Sequence, residues 1–298
     1  MKTYIFLVCL IFFFAHKSLA QMPHDAIYMN KNLTCGALVY GNSSFTEYWE
    51  NSLKRENQNI GKLTSESMTA MIAYGISKKI NFIAMVPYVR TYASEGNLLG
   101  QEGFQDMSFW LKIKPLTYKG FAGHLGMGVS IPMTDYVPDF MPLSIGYGST
   151  TLTSRAILSY NHPSHFYVNA SFAYHLRGNT EVDRDAYLND DQLVYSNEVP
   201  VPDAIETAFR LGYLKKDNQL ELFAENYSCT SGDYIRRNDM PFPSNDMEMT
   251  QVGVYGKYQP KNIGVNAKLA YVVDGLNAGQ STTFSVGLLY LFNLPILK

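Results

Sequence analysis

The stretch Thr283-Phe284-Ser285-Val286-Gly287-Leu288-Leu289-Tyr290-Leu291-Phe292 decides the fold. In an extended chain successive side chains point to opposite faces, so Phe284, Val286, Leu288, Tyr290 and Phe292 share one face and Thr283, Ser285 and Gly287 the other. An apolar row backed by a small polar row is what a strand needs when one face meets lipid and the other a lumen.

Working back along the chain, the same alternation between turn signals gives about twelve strands, centred near Val39, Met71, Ala84, Leu111, Met127, Ala156, Ala170, Phe209, Leu222, Val254, Ala267 and Val286. The connections near 78–79, 117–118, 161–163, 216–218 and 260–262 are short. Those over 43–64, 93–103, 132–147, 178–202, 231–246 and 275–280 are mostly longer. Strict alternation of the two kinds fits a barrel with short periplasmic turns and longer external loops, and nothing in a soluble sandwich requires it. The expected fold is therefore all-β, a transmembrane antiparallel β-barrel with both termini in the periplasm.

Composition agrees. The 298 residues include 22 Tyr, and only 17% are charged, against about 25% in ordinary globular chains. The mean hydropathy of −0.12 and the lack of a run of about 18 apolar residues beyond the first twenty leave spanning to strands. A net charge of −2 gives no footing for nucleic acid. Lys2, the apolar run from Ile5 to Ala15 and the small residues Ser18 and Ala20 read as a secretory signal over 1–20. The expected order is then a periplasmic segment over 21–33, the barrel over 34–292 and an extension over 293–298. Cys35 and Cys229 follow the signal, and a disulfide and two free thiols are both compatible with the sequence.

Charged residues on these strands can only face inward, because each would cost a few kcal/mol against lipid. That sets Lys112, Arg155, Glu206, Arg210, Glu225, Lys257 and Lys268 as lumen-facing candidates, together with Glu221. Between the ~8 strands whose side chains fill a barrel and the ~16 that leave an open pore, these charges serve first as filling.

Ser44-x-x-Glu47 fits a capping box, and Phe45, Tyr48, Trp49 and Leu53 follow at helical spacing opposite Glu47, Glu50, Lys54 and Glu56. The expectation is a short helix in the first external loop, with Phe45, Tyr48 and Trp49 as gate candidates over the mouth. The same stripe could rest at the membrane interface.

Two resemblances add to this. Ser285, Gly287, Tyr290 and Phe292 are similar in spacing to the C-terminal signal read by the outer-membrane insertion machinery; the extension beyond Phe292 departs from it. Gly103-Phe104-Gln105-Asp106 before a strand ending Lys112-Ile113-Lys114, then Gly126-x-Gly128-Val129-Ser130-Ile131-Pro132, resembles the hairpin of the meta-pathway phenol-degradation family of outer-membrane barrels. Met22-Pro23-His24-Asp25-Ala26-Ile27-Tyr28-Met29, Tyr48-Trp49-Glu50 and Arg55-x-Asn57-x-Asn59-Ile60-Gly61 are similar to a subgroup of it. The resemblance implies an outer-membrane transporter related in shape to hydrocarbon and fatty-acid channels, without catalytic residues.

The expected function is passive, gated passage of a small solute of aromatic or hydrophobic kind. The alternative is a barrel that anchors or adheres through its external loops. The implied partners are membrane lipid, the insertion machinery and an unidentified solute, with no cofactor. Met22, His24, Asp25 and Met29 hint at copper, but Pro23 lacks the amide an amino-terminal clip requires, and a flexible periplasmic tail or plug segment is the reading preferred. His162 and Ser164 suggest a phospholipase only superficially: Pro163 makes their segment a turn, and no Gly-x-Ser-x-Gly elbow is present.

Overall fold

Strands of a membrane barrel alternate lumen-facing residues with apolar outward ones, and the computed structural model, which describes residues 22–189, 192–236 and 239–296, shows this alternation along its barrel strands. The segment read as a signal lies outside the described residues. Twelve antiparallel strands close on themselves: β1 (Leu33–Phe45), β2 (Leu63–Ser77), β3 (Ile80–Ala93), β4 (Asp106–Tyr118), β5 (Phe121–Pro132), β6 (Thr151–Asn161), β7 (Phe166–Arg177), β8 (Ala204–Lys215), β9 (Asn218–Cys229), β10 (Glu248–Tyr258), β11 (Ile263–Leu276) and β12 (Thr282–Asn293). Each of the strand centres read from the sequence falls within one of them. Closure comes from β1 on β12, in register from Leu33↔Asn293 to Ser44↔Thr282. No backbone edge is left to meet hydrocarbon, which a spanning sheet requires.

The outer wall carries Leu38, Met127, Phe172, Phe209, Leu222, Leu269, Phe284 and Leu288, all exposed. In water such a band would be a liability; in a bilayer it is the contact surface. The protein is thus an outer-membrane barrel. The short turns lie at the end that holds both described termini, and the long loops at the other.

Inside, small residues leave room for large neighbours. A Cβ on Gly128 would stand 2.5 Å from the Trp110 ring, and one on Gly212 would overlap the Tyr167 ring. The aromatic ring on one strand lies over the bare backbone of the next. Gly128→Val should therefore lower the unfolding free energy by about 1–3 kcal/mol through overpacking; urea titration of the refolded barrel measures it, and an unchanged midpoint would show that Trp110 can swing aside.

The expected helix in the first external loop is not present. Residues Glu47–Glu50 pair instead with Leu53–Glu56 as a β-hairpin. Ser44 and Phe45 are already committed to β1, where Ser44 pairs with Thr282 and Thr64, and Phe45 with Leu63. Strand bonds therefore take the backbone groups that a helix cap would use. Asn51 turns the hairpin with φ of 53°, a conformation Asn tolerates. The charges read as the polar face of a helix pair across the strands, Glu47 with Lys54 at 2.9 Å and Glu50 with Arg55 at 3.2 Å.

Candidate functional site

The lumen is crossed by ion pairs whose positions follow from register. Ala173 on β7 stands opposite Arg155 on β6 and Glu206 on β8. Its methyl side chain lets the two reach over it, and Arg155 grips Glu206 through both guanidinium nitrogens at 2.7 and 2.9 Å. That fork geometry is the strong form of a carboxylate contact. His175 Nε2 lies 3.5 Å from the same carboxylate.

A second cluster sits on β8, β9, β10 and β11. Arg210 donates to Glu221 at 2.7 Å and also pairs with Glu225. Lys268 reaches Glu225 at 3.7 Å and lies 4.6 Å over the Phe223 ring. Tyr167 donates to Glu221 at 2.6 Å, and Gln251 to Glu225 at 2.7 Å. Arg210 and Glu221 are only 3–4% exposed as side chains, so their attraction acts at low dielectric, but so does the cost of stripping water from each.

The lower lumen is filled by the segment before β1. Lys112, 1% exposed, spends its three donors on Asp25 Oδ1 at 2.8 Å and on the carbonyl oxygens of Met22 and Asp25, each at 2.7 Å. Asp25 also accepts from the Met22 and Ile27 amides at 2.6 and 2.9 Å. The Tyr28 ring stacks on His124 at 5.4 Å, with Lys112 and Lys114 at 5.3 and 5.0 Å from its centre. Met29, 1% exposed, enters an apolar cluster with Leu33, Cys35, Met71, Ile83 and Leu289. Residues 22–32 therefore form a latched plug at the end with the short turns. A cavity of about 370 Å³ lies beside it, lined by Asp25, Tyr28, Lys114, Tyr167, Asn169 and Gln219 among others.

The outer mouth is closed by loops. Residues 133–150 dip inward: Leu143, 1% exposed, packs on Ile60 and Leu63, and its carbonyl accepts from Thr91 Oγ1. The Tyr136 hydroxyl donates to Asp106 at 2.5 Å and accepts from the Gly148 amide at 2.9 Å; burial and then the Asp106 carboxylate push its acidity far below that of a free phenol. The first-loop hairpin docks on the last loop through Trp49 N to Ala278 O and Gln280 N to Glu47 O, both 2.8 Å. Between these loops lies an apolar cup of about 150 Å³, lined by Phe45, Tyr48, Ile60, Met141, Met240 and Ala278 among others.

Of the gate candidates, Phe45 and Tyr48 thus border the cup, while Trp49, 6% exposed, is a packing residue against Gly275. Of the lumen candidates, Lys112, Arg155, Glu206, Arg210, Glu225 and Lys268 are in ion pairs inside the barrel. Lys257 is buried at 4% exposure with no hydrogen-bond partner on Nζ. Ser285 and Gly287 face inward, and Tyr290 and Phe292 stack at 5.8 Å. Cys35 and Cys229 are both free and buried, at opposite ends of the barrel. The copper hint dissolves into the plug, since Asp25 is held by Lys112 and Met29 is in the core. His162 and Ser164 bond each other at 2.6 Å within an exposed turn. A plug segment was among the readings of the N-terminal stretch, but the contacts of Asp25 with Lys112 and of Tyr28 with His124 had no signal in the sequence, because neither residue belongs to a periodic element.

No family model matches the chain, and no curated protein matches it. Solved structures do. The COG4313 outer membrane channel from Pseudomonas putida F1 superposes with a TM-score of 0.75 at 13% identity, over 92% of this chain and 100% of that one. The NanC porin gives a TM-score of 0.49 at 8% identity, over 85% and 98%. The translocator domain of the autotransporter NalP from Neisseria meningitidis gives 0.48 at 14% identity, over 88% and 90%. At such identities the first of these shows the fold, an outer-membrane barrel.

Proposed function

We propose that the barrel is a passive, gated channel for a small solute of aromatic or hydrophobic kind, and that it is related to the meta-pathway phenol-degradation barrels its hairpin motifs resemble. The observation that carries this is the apolar cup at the outer mouth, set above a polar lumen and a latched plug. A cup of about 150 Å³ matches the volume of an apolar cavity that holds one benzene-sized molecule. Its Met and aromatic lining adapts to flat, polarisable guests. The first solved neighbour is itself described as a channel, which supports the reading.

In this scheme a solute leaves water for the cup, the loops above the lumen part, and the plug yields below. The ion-pair ladder keeps the wall rigid meanwhile, so only loops and plug need move. The anchor reading gives the apolar cup at the mouth no role.

Filling the cup tests this. Ala278→Phe places a ring inside it, and initial uptake of radiolabelled phenol by cells displaying the barrel should fall by about tenfold if that volume is the entry site. Insertion is checked by surface labelling of the same cells. Uptake equal to that of the parent barrel, at equal display, would rule the cup out as the way in.

A further inference from the structure

Lys257 has no place in the ladder just described. It projects from β10 into the barrel, 4% exposed, and its Nζ makes no hydrogen bond. The other buried lumen cations differ: Lys112 has Asp25, Arg155 has Glu206, and Arg210 has Glu221 and Glu225. Two residues along, Gln259 is 1% exposed, and both its amide oxygen and its amide nitrogen lack partners. Its side chain lies against bare Gly264. A buried ammonium and a buried amide, both on the inward face, thus leave an ammonium, an amide nitrogen and an amide oxygen without hydrogen-bond partners.

The surroundings say what the acceptor is. Lys257 stands in register with Gln219 on β9 and Asn266 on β11. Gln219 lines the cavity of about 370 Å³ beside the plug, together with Lys78, Lys114 and Asn169; Asn169 is 4% exposed and its Oδ1 is also unpartnered. On the far side of that space Lys112 already holds a carboxylate, the plug's own Asp25, with backbone amides completing its shell. The lower lumen therefore accepts a carboxylate in its present form. Beyond it, the exposed lysines Lys78, Lys79, Lys119, Lys215, Lys216 and Lys261 stand at the short turns around the exit.

We propose that Lys257 and Gln259 form a subsite for the carboxylate of a small organic acid, the rest of which reaches past Gln219, the cross-strand neighbour of Lys257, into the cavity beside the plug. The ammonium supplies charge and the amide nitrogen one directed hydrogen bond, while Asn169 takes a hydroxyl where the acid carries one. The inference deepens the channel reading by naming the solute's charged group, and it rests on that reading only for the source of the acid.

The test uses the full mature barrel in detergent, titrated calorimetrically with benzoate and with benzyl alcohol, which keeps the ring and removes the charge. Benzoate should bind about tenfold or more tighter than benzyl alcohol, and Lys257→Met should erase that difference while leaving benzyl alcohol unaffected. Because the Lys257 ammonium makes no hydrogen bond, Lys257→Met should also leave thermal unfolding unchanged or raised, whereas a structural lysine would lower it. Equal affinity for the two ligands in the parent, or a benzoate affinity that ignores Lys257→Met, overturns the proposal. Flux is read separately. If benzoate binds through Lys257 but no aromatic solute crosses, the site stands and the channel reading falls; if solutes cross but binding ignores charge, the reverse holds.

Discussion

Lys112→Met should unlatch the plug and raise the conductance of the barrel. The ammonium makes three short contacts to the N-terminal segment, and nothing else named in the lumen offers Asp25 a cation at bonding distance. Removing one partner of a buried ion pair costs about 3–5 kcal/mol. Asp25 escapes most of that cost by leaving the lumen for water, so the loss falls on plug seating and not on the barrel wall. A shift of about 3 kcal/mol is roughly 150-fold in the seated-to-released ratio. Single-channel recording in planar bilayers should show a variant open for most of the record where the parent is closed for most of it, with thermal unfolding of the barrel little altered. Asp25→Asn combined with Lys112→Met should recover part of the closure, because the orphaned carboxylate is then gone. A variant as closed as the parent would show that Tyr28 and Met29 hold the plug without the latch.

Arg210→Met should strike the wall itself. Arg210 lies between Glu221 and Glu225, and all three are fixed to strands that cannot move apart. Without the guanidinium, two carboxylates face each other with Lys268 3.7 Å from one of them. The loss of stability should be about 3–5 kcal/mol, seen as a lower urea midpoint for unfolding from detergent. Neutralising both acids as well, with Glu221→Gln and Glu225→Gln, should restore most of it. Lys268→Met is the control: its side chain is 29% exposed and its contact long, so the change should stay below about 1 kcal/mol. If Arg210→Met were as mild as the control, the cluster would be filling and not a brace.

These two expectations rest on features that differ in how far the sequence betrays them. The strands were legible because lipid enforces a strict rule: Val286 and Leu288 must face out, Ser285 and Gly287 in, and a charge such as Arg210 has one side to go to. Alternating connection lengths then told a barrel from a sandwich and set which end carries the loops. The first external loop was misread because Ser44, Glu47 and the spacing of Phe45, Tyr48 and Trp49 satisfy a helix locally, while Thr282, Thr64 and Leu63, which claim Ser44 and Phe45, lie far along the chain. Glu47 with Lys54 and Glu50 with Arg55 look alike on either reading, since pairs a few residues apart meet on a helix face and equally across a tight hairpin.

The segment before β1 was legible as a periplasmic tail or plug, but its latch was not, for the same reason carried further. Residues 22–32 have no period, and Asp25 finds Lys112 across 87 positions. Ala173 carried no signal either, yet its small side chain is what allows Arg155 to reach Glu206 over β7. Lys257 was read as a strand charge that lipid would reject, but the absence of a hydrogen bond on its Nζ is a property of packing, not of pattern.

The central claim is that a small aromatic solute passes through this barrel once the plug gives way. The most direct measurement is the initial rate of radiolabelled phenol uptake by cells with intact outer membranes carrying no barrel, the parent barrel or Lys112→Met at matched display. The expected order is a clear rise from the first to the second and a further rise, by about tenfold, from the second to the third, as an unlatched plug raises the open fraction. Identical uptake in all three would contradict passage, and would leave the barrel as an anchor whose cup and plug serve only to seal it.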